Sequence, residues 1–516
     1  MLRVDALIPK GVISAAFRKQ ACLCALALVA FAGATSAAKT DFKVLVNFDG
    51  TDGSAPLGSL IQSRDGNLYG ITAEGGSCTY QSGCGTVFRI TPGGKLQTIY
   101  NFCALANCAD GAFPQAGLVQ AANGSFYGTT GEGGDSSCNA PYGCGTIFKI
   151  TAEGKLTTLH RFGGTDGAYP TAFILARNGN FYGTTSGGGA SQNERDCERD
   201  GELVGCGTVF KMTREGDFTT LYNFCSKTNC ADGAYPNTGL VQAANGKFYG
   251  TTSWGGTATN PNCGDYPTSM SACGTIFEIT LSGRLNTLFS FCARKDCPSG
   301  AQPYGALIQA ADGDLYGTTY LTPLGRNRFG DGDAFRITLD GKFTKVTSTD
   351  GNSVAPLVQA TDGNFYGTNY FGGANGIGNI FKVTPKGRLV NLHSFDYTDG
   401  FEPDGGLLQA TNGAFYGTTW GEGLDGYGVL FKLSVGLGPF VAPEPAYGKV
   451  GATIVILGNN LKEATAVTFN GAAAKFDAVS NSEIKTVVPA GATSGTVEVT
   501  LPRGTLKSNV AFRVIQ

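Results

Sequence analysis

Helical patterning is almost absent from this sequence, because apolar residues do not recur at the three-to-four-residue spacing of a buried helix face. Charge is scarce and balanced: 38 Lys and Arg face 40 Asp and Glu, for a net charge of −2. No basic stripe or block exists, which removes nucleic acid from the partners to consider. Only 2 histidines are present, leaving little for imidazole catalysis or histidine-rich metal sites. Beyond the N-terminal segment no apolar run could cross a membrane as a helix. Glycine is what abounds: 78 residues, about twice the usual share, the mark of a turn-rich chain.

The N-terminus reads as an export signal. Arg3, Lys10, Arg18 and Lys19 precede the apolar run Ala21–Ala34, and small residues follow up to Ala38. That order of charged, apolar and small segments predicts a signal peptide over 1–38. A retained signal anchor is the rival reading, disfavoured because the run is short for a span. Cysteine usage agrees with export. After Cys22 and Cys24 are set aside, the others fall into close pairs: Cys78/Cys84, Cys103/Cys108, Cys138/Cys144, Cys197/Cys206, Cys225/Cys230, Cys263/Cys273 and Cys292/Cys297. An even count in short-range pairs on an exported chain predicts seven local disulfides. Each closes a small loop, worth roughly 2 kcal/mol by chain entropy. Zinc is a weak reading here, since the spacings vary, and no cofactor or metal is expected.

The stretch "SFYGTT" has near-copies along the chain, with tyrosines at Tyr69, Tyr127, Tyr182, Tyr249, Tyr316, Tyr366 and Tyr416. Each copy follows an Asn-Gly or Asp-Gly pair, which predicts a type I′ hairpin turn with both residues at positive φ. One unit from Gly117 reads "GLVQAANGSFYGTT", a variable loop, "GCGTIFKIT", "AEG", "KLTTLHRF" and "GGTDGAYP". It holds four strand candidates, A to D, alternating apolar and polar. Seven such units predict an all-β fold, a seven-bladed β-propeller. The segment Phe42–Phe48 aligns with a strand D that has no A, B or C before it, and the last unit lacks a D. The first strand is therefore expected to complete the last blade, which removes two exposed sheet edges. An open solenoid is the alternative.

After the repeats, expected over 39–435, and a linker at 436–445, the texture changes. Residues 446–516 show short alternating strands separated by Gly, Asn and Pro, the pattern of an Ig-like sandwich. Gly451, Thr453–Gly458, Val467, Phe469, Gly471, Ile484, Val487–Pro489 and Val497–Val499 resemble the IPT/TIG family. That resemblance implies a spacer or contact module. Over residues 42–434 the "FYGTT…GCGTVFKIT" units resemble the bacterial Gloeobacter/Verrucomicrobia-type repeats. This second resemblance implies a secreted or surface location and no defined activity.

Strand direction alternates within a blade, so the A–B and C–D turns share one face. The long, variable B–C loops and the D–A connections share the other, and every expected disulfide falls there. Variable, stapled loops on a rigid scaffold are how binding surfaces are built. Just past strand B stand Glu74, Glu132 and Glu422, and the aromatic residues Trp254, Tyr320, Tyr370, Phe371 and Trp420. These predict an acidic and aromatic rim suited to sugar rings. The expected function is non-enzymatic binding of an extracellular glycan or protein by a monomer that is periplasmic, secreted or surface-held. The alternatives are a structural surface protein, or a glycosidase or lyase using a pair among Glu74, Glu132 and Glu422. His160 and His393 take strand D positions that hold Tyr100, Tyr222 and Phe289 in other units, and are read as packing residues. "GDGDAF" at Gly330–Phe335 lacks the terminal Glu of a calcium loop.

Overall fold

The computed structural model describes residues 40–515 apart from 79–82, 141, 191–196, 200–201, 204, 258–272, 295–296, 326–327 and 422. The expected signal peptide therefore lies outside the described residues. Among those described, strands and short 3₁₀ turns occur and no α-helix.

Seven antiparallel sheets follow one another, six of them each made from one repeat in the order A-B-C-D, the second with an extra short edge strand, Ala112–Pro114. In the second repeat these strands are Val119–Gln120, Phe126–Glu132, Thr146–Ile150 and Leu156–Arg161. The last repeat supplies A, B and C. Its fourth strand is the N-terminal segment Asp41–Asn47, paired antiparallel with Val429–Ser434 from Asp41↔Ser434 to Asn47↔Val429.

The "FYGTT" stretch is legible residue by residue. Its glycine faces the phenylalanine of strand C and the apolar residue leading strand A. A Cβ added at Gly70, Gly128, Gly250, Gly317, Gly367 or Gly417 would lie less than 3.0 Å from that phenylalanine's Cζ. Its tyrosine is buried and reaches across to the next repeat. The Tyr69–Phe126, Tyr127–Phe181, Tyr182–Phe248, Tyr316–Phe365 and Tyr366–Phe415 ring pairs sit 4.2–4.5 Å apart. Leucine replaces phenylalanine twice: Tyr249 clusters with Leu315, and Tyr416 of the last repeat clusters with Leu68 of the first. A glutamine ladder runs parallel to this. Gln242, Gln309, Gln359 and Gln409 each accept a backbone N–H from the preceding repeat's A–B turn, at 2.8–3.1 Å. Gln62 accepts the Thr411 N–H in the same way, at 2.8 Å.

The A–B turn differs from the expected type I′. Only its glycine has positive φ, as at Gly66 (81°) and Gly124 (82°). The Gly66 N–H donates to Ser63 O, and the Ser63 N–H donates to Asn67 O, each at 2.9 Å. This is a type I turn followed by a glycine bulge. The physical reason is a second task for the Asx side chain. Asp65 accepts both the Asn67 N–H and the buried Tyr69 hydroxyl, at 3.0 and 2.9 Å. The Asp312–Tyr316 and Asp362–Tyr366 pairs repeat this, while Asn178, Asn245 and Asn412 donate to their tyrosines instead.

His160 and His393 are packed as expected of that position. His393 stacks on Phe42 with centroids 3.7 Å apart, and His160 stacks on Phe218 at 3.9 Å. Their Nε2 atoms contact Asp166 and Asp399, each at 2.8 Å.

Six expected disulfides are formed: Cys78–Cys84, Cys103–Cys108, Cys138–Cys144, Cys197–Cys206, Cys225–Cys230 and Cys292–Cys297. Cys273 is also disulfide-bonded, and its expected partner Cys263 lies outside the described residues. A B–C bridge lies against the following D–A bridge: the sulfurs of Cys197, Cys206, Cys225 and Cys230 are within 4.8 Å of one another. The second repeat has Cys138–Cys144 alone, so the pair is the unit.

The C-terminal region is two four-stranded sheets face to face. One contains Ala442–Glu444, Thr453–Leu457, Glu483–Val487 and Phe476–Ala478. The other contains Ala472–Ala474, Ala466–Phe469, Val497–Leu501 and Gly504–Lys507. Ile454, Ile456 and Ile484 of the first pack with Val467, Phe469, Val497 and Val499 of the second. Ala442–Glu444 falls within the stretch expected as linker and is instead a strand, paired with Val455–Leu457. This sandwich rests on the A–B turns. Ser482 Oγ donates to Arg64 O at 2.7 Å, Asn459 donates to Thr411 Oγ1 at 2.9 Å, and Arg513 donates to Ala244 O. The Arg177 guanidinium lies 5.6 Å from the Tyr447 ring centroid.

Gly128→Ala forces a methyl into the Phe148 ring. We expect a loss of about 1–3 kcal/mol in chemical denaturation, the usual cost of overpacking. A variant as stable as the parent would refute this reason for the glycine.

Candidate functional site

Two positions per repeat meet at the loop face. The first is the fourth residue after the repeat tyrosine: Ala73, Gly131, Ser186, Ser253, Tyr320, Tyr370 and Trp420. The second precedes a proline just before strand A. Ala55, Phe113, Tyr169, Tyr235, Gln302 and Glu402 all have φ between 52° and 56°, a conformation that costs a non-glycine residue of order 1 kcal/mol. Two hydrogen bonds hold it there. The Glu402 N–H donates to Ile377 O of the preceding repeat, and Glu402 O accepts the Trp420 N–H of its own repeat, each at 3.0 Å. The Gln302 N–H likewise donates to Cys273 O at 2.9 Å, and Gln302 O accepts the Tyr320 N–H at 3.0 Å. The backbone is thus constant while the side chain varies.

The two positions exchange their bulk around the chain. Phe113, Tyr169 and Tyr235 stand beside Gly131, Ser186 and Ser253. Gln302 and Glu402 stand beside Tyr320 and Trp420. The sixth repeat lacks the proline, and Asn352 O accepts the Tyr370 N–H at 2.7 Å.

Polar chemistry concentrates in repeats five to seven. The Tyr370 hydroxyl donates to Glu402 Oε2. Glu402 is only 7% exposed. Burial, followed by the nearby Asp404 charge, raises its carboxyl to about 7 against the Tyr370 hydrogen bond. Burial alone raises Asp404 to about 6. Tyr320 is raised by burial and by the Glu402 charge. Tyr304 sets its ring edge-on to Tyr320, 5.5 Å between centroids. Among the described residues, no lysine or arginine acts on either carboxyl.

The expected residues separate into groups. Tyr320 and Tyr370 come together around Glu402. Trp420 is 41% exposed and Phe371 37% exposed, and Phe371 sits edge-on to Tyr370 at 4.7 Å. Tyr397, Leu424 and Tyr427 are further exposed apolar residues in the loops of repeats six and seven. Trp254 is half-buried against the Cys197, Cys206, Cys225 and Cys230 cluster, apart from that group. Glu74 and Glu132 are half-buried in edge bridges, Ser54↔Glu74 and Ala112↔Glu132, and burial raises both carboxyls. Glu422 lies outside the described residues. In the fifth repeat, Asp333 is engaged by the Lys345 ammonium at 2.7 Å and the Ser348 hydroxyl at 3.0 Å.

Glu402, Asp404 and Tyr304 were not among the expected residues. Their signal is present in the sequence as the varying residues around each proline before strand A: "GSAPL", "GAFPQ", "GAYPT", "GAYPN", "GAQPY" and "GFEPD".

The fold and this face define an all-β repeat protein that carries its variable chemistry on disulfide-braced loops. The chain belongs to the Gloeobacter/Verrucomicrobia repeat family, whose model matches residues 32–196, 142–268, 196–350 and 266–441. Residues 442–514 match the IPT/TIG domain. No curated protein matches the chain. Among solved structures it is similar to the extracellular domain of a hybrid two component system from B. thetaiotaomicron, with 11% identity over 88% of this chain and 52% of that one, TM-score 0.45. It is also similar to puromycin hydrolase, with 13% identity over 88% and 58%, TM-score 0.43. An aldose sugar dehydrogenase from Streptomyces coelicolor shares 12% identity over 77% and 99%, TM-score 0.36.

A carboxyl raised on folding makes stability fall as pH rises. Glu402 holds its proton between 4.5 and about 7 in the folded chain and loses it in the unfolded chain. Denaturation at pH 5 and pH 8 should show wild type losing roughly 2 kcal/mol more than Glu402→Gln across that window. Equal losses in the two proteins would mean that Glu402 is not desolvated.

Proposed function

We propose that the protein is an exported, non-enzymatic binding protein: a seven-bladed β-propeller, closed by its N-terminal strand, that takes an extracellular glycan on its disulfide-braced loop face. Residues 1–38 act as the signal peptide, and the C-terminal sandwich is a contact module seated on the opposite, A–B face. The observation that carries the reading is the rim itself. Its strained backbone position is kept in six repeats while the side chain changes from Ala55 to Tyr169 to Glu402. Strain maintained at a position of varied side chain on the loop face fits recognition. Exposed Trp420 and Phe371 beside Tyr370 and Glu402 offer ring faces and hydroxyl partners suited to a sugar.

Closure rests on the Tyr416–Leu68 cluster, the Thr411–Gln62 hydrogen bond and the pairing of Asp41–Asn47 with Val429–Ser434. Deleting residues 41–48 should lower the melting temperature sharply, because it bares a strand edge and removes the Phe42–His393 stack. An unchanged melting curve would leave the chain an open array. For function, the mature protein is to be assayed against the envelope and exported polysaccharides of the producing cell. Trp420→Ala with Tyr370→Ala should weaken the bound fraction by about tenfold or more, as removal of aromatic anchors does. Retention by the double variant as strong as by wild type would remove this rim from the function.

A further inference from the structure

The bridges of the third repeat stand as a pair. Cys197–Cys206 closes the B–C loop, and Cys225–Cys230 closes the D–A loop that follows. Their four sulfurs lie within 4.8 Å of one another, and all four residues are fully buried. No single loop carries a ligand spacing, so the sequence shows no metal motif here. Four sulfurs meet because the fold lays one loop on the next. The backbone that carries them is held independently of the S–S bonds. Cys206 O accepts the Tyr235 N–H at 2.9 Å, and the Cys225 N–H donates to Gly233 O at 3.1 Å. The Cys230 N–H donates to Lys227 O at 3.0 Å, and Cys230 O accepts the Gly233 and Gly256 N–H groups, each at 2.9 Å. Three of the four cysteines are thus fixed without their bridges. Phe224, Ala234 and Leu240 belong to the same buried cluster and keep it apolar.

A tetrahedral zinc ion bonded to thiolates at about 2.3 Å spaces its sulfurs about 3.8 Å apart, within the span of this cluster. Four soft sulfur ligands select zinc over hard cations such as calcium or magnesium. We propose that Cys197, Cys206, Cys225 and Cys230 form a tetrathiolate zinc site in the reduced chain, and that the bridged form is its oxidised, metal-free counterpart. The two forms interconvert by thiol–disulfide exchange. Two small-molecule disulfides each accept two electrons and leave as four thiols, taking four protons from solvent. The four cysteine thiolates become two bridges, and zinc departs as the divalent ion. A dithiol reductant runs the exchange in reverse. Zinc enters as the loops close on folding, since the site is complete only in the folded chain. The second repeat, whose Cys138–Cys144 bridge stands alone, supplies the internal control.

The test is to refold the mature protein anaerobically with a phosphine reductant and zinc(II), remove loose metal by gel filtration and count the zinc retained. Wild type should keep about one zinc per chain more than the double variant Cys225→Ser with Cys230→Ser. Cys138→Ser with Cys144→Ser should keep as much as wild type. Cobalt(II) in place of zinc should give the absorption of a tetrahedral thiolate complex, and the Cys225→Ser, Cys230→Ser variant should lose that share of it. Cys197→Ser, which leaves the D–A loop untouched, should surrender the same zinc to a chelator that wild type withstands. Oxidised glutathione added to the zinc-loaded protein should release the ion, with the Cys197–Cys206 and Cys225–Cys230 bridges recovered in peptide mapping. Equal zinc retention by wild type and these two variants overturns the site. Zinc-loaded protein in which mapping finds both bridges still closed overturns it too. A reduced wild type that regains no β-sheet circular dichroism with zinc present also overturns it, because the site rests on a backbone held without the bridges.

Discussion

The contact on which the rest depends is the repeat tyrosine laid against the next repeat's phenylalanine or leucine. A single four-stranded sheet of this length cannot bury enough apolar surface to stand alone. Here each sheet exports one aromatic ring to its neighbour and receives one in return. The glycine after the tyrosine follows from the same need, since it lets the strand C phenylalanine lie flat across strand B. The Asx residue four positions earlier ties down the tyrosine hydroxyl that burial would otherwise leave unsatisfied. Three features of "FYGTT" and its turn thus serve one interface. They recur because every repeat meets the same packing problem.

That common core frees the loop face to vary. Each rim residue before strand A is held by one hydrogen bond to the preceding repeat and one to its own, so its backbone is fixed by neighbours on both sides. The side chain carries little of the fold. Aromatic Phe113, Tyr169 and Tyr235 therefore alternate with polar Gln302 and Glu402 without disturbing the hydrogen bonds. Beside the large residues stand Gly131, Ser186 and Ser253, and beside the polar ones stand Tyr320 and Trp420.

Much of this was legible in the sequence. The tyrosine spacing marked the units, and their alternation marked the strands. The cysteine pairs, of which six are seen as disulfides, were readable because a short loop allows few partners. The odd strand at Phe42–Phe48 was readable because its partner's absence was visible at the other end of the repeats. The turn type was misjudged because Asn-Gly and Asp-Gly suit two hairpin geometries. Only the buried tyrosine hydroxyl, a tertiary feature, selects between them. Glu402 and Asp404 are not flagged by the loops after strand B, where the copies differ most in length. The varying residues before strand A sit in a segment of constant length, and constant length disguises a variable surface. Trp254, an aromatic residue in a variable loop, packs partly against a disulfide cluster, a contact that only the fold reveals.

The C-terminal sandwich completes the asymmetry. It contacts A–B turns of the first, third, fourth and seventh repeats through Arg64, Arg177, Ala244 and Thr411. These turns are short and nearly uniform, so they offer a regular platform with little chemistry of its own. Glu444, in the sandwich's first strand, is raised by burial to about 7 with Arg64 drawing it back. This contact was paid for with a desolvated carboxyl that has its cation nearby. On the loop face the Glu402 and Asp404 carboxyls are likewise raised by burial. The Glu444 site joins two parts of the same molecule, where Ser482 donates to Arg64 O.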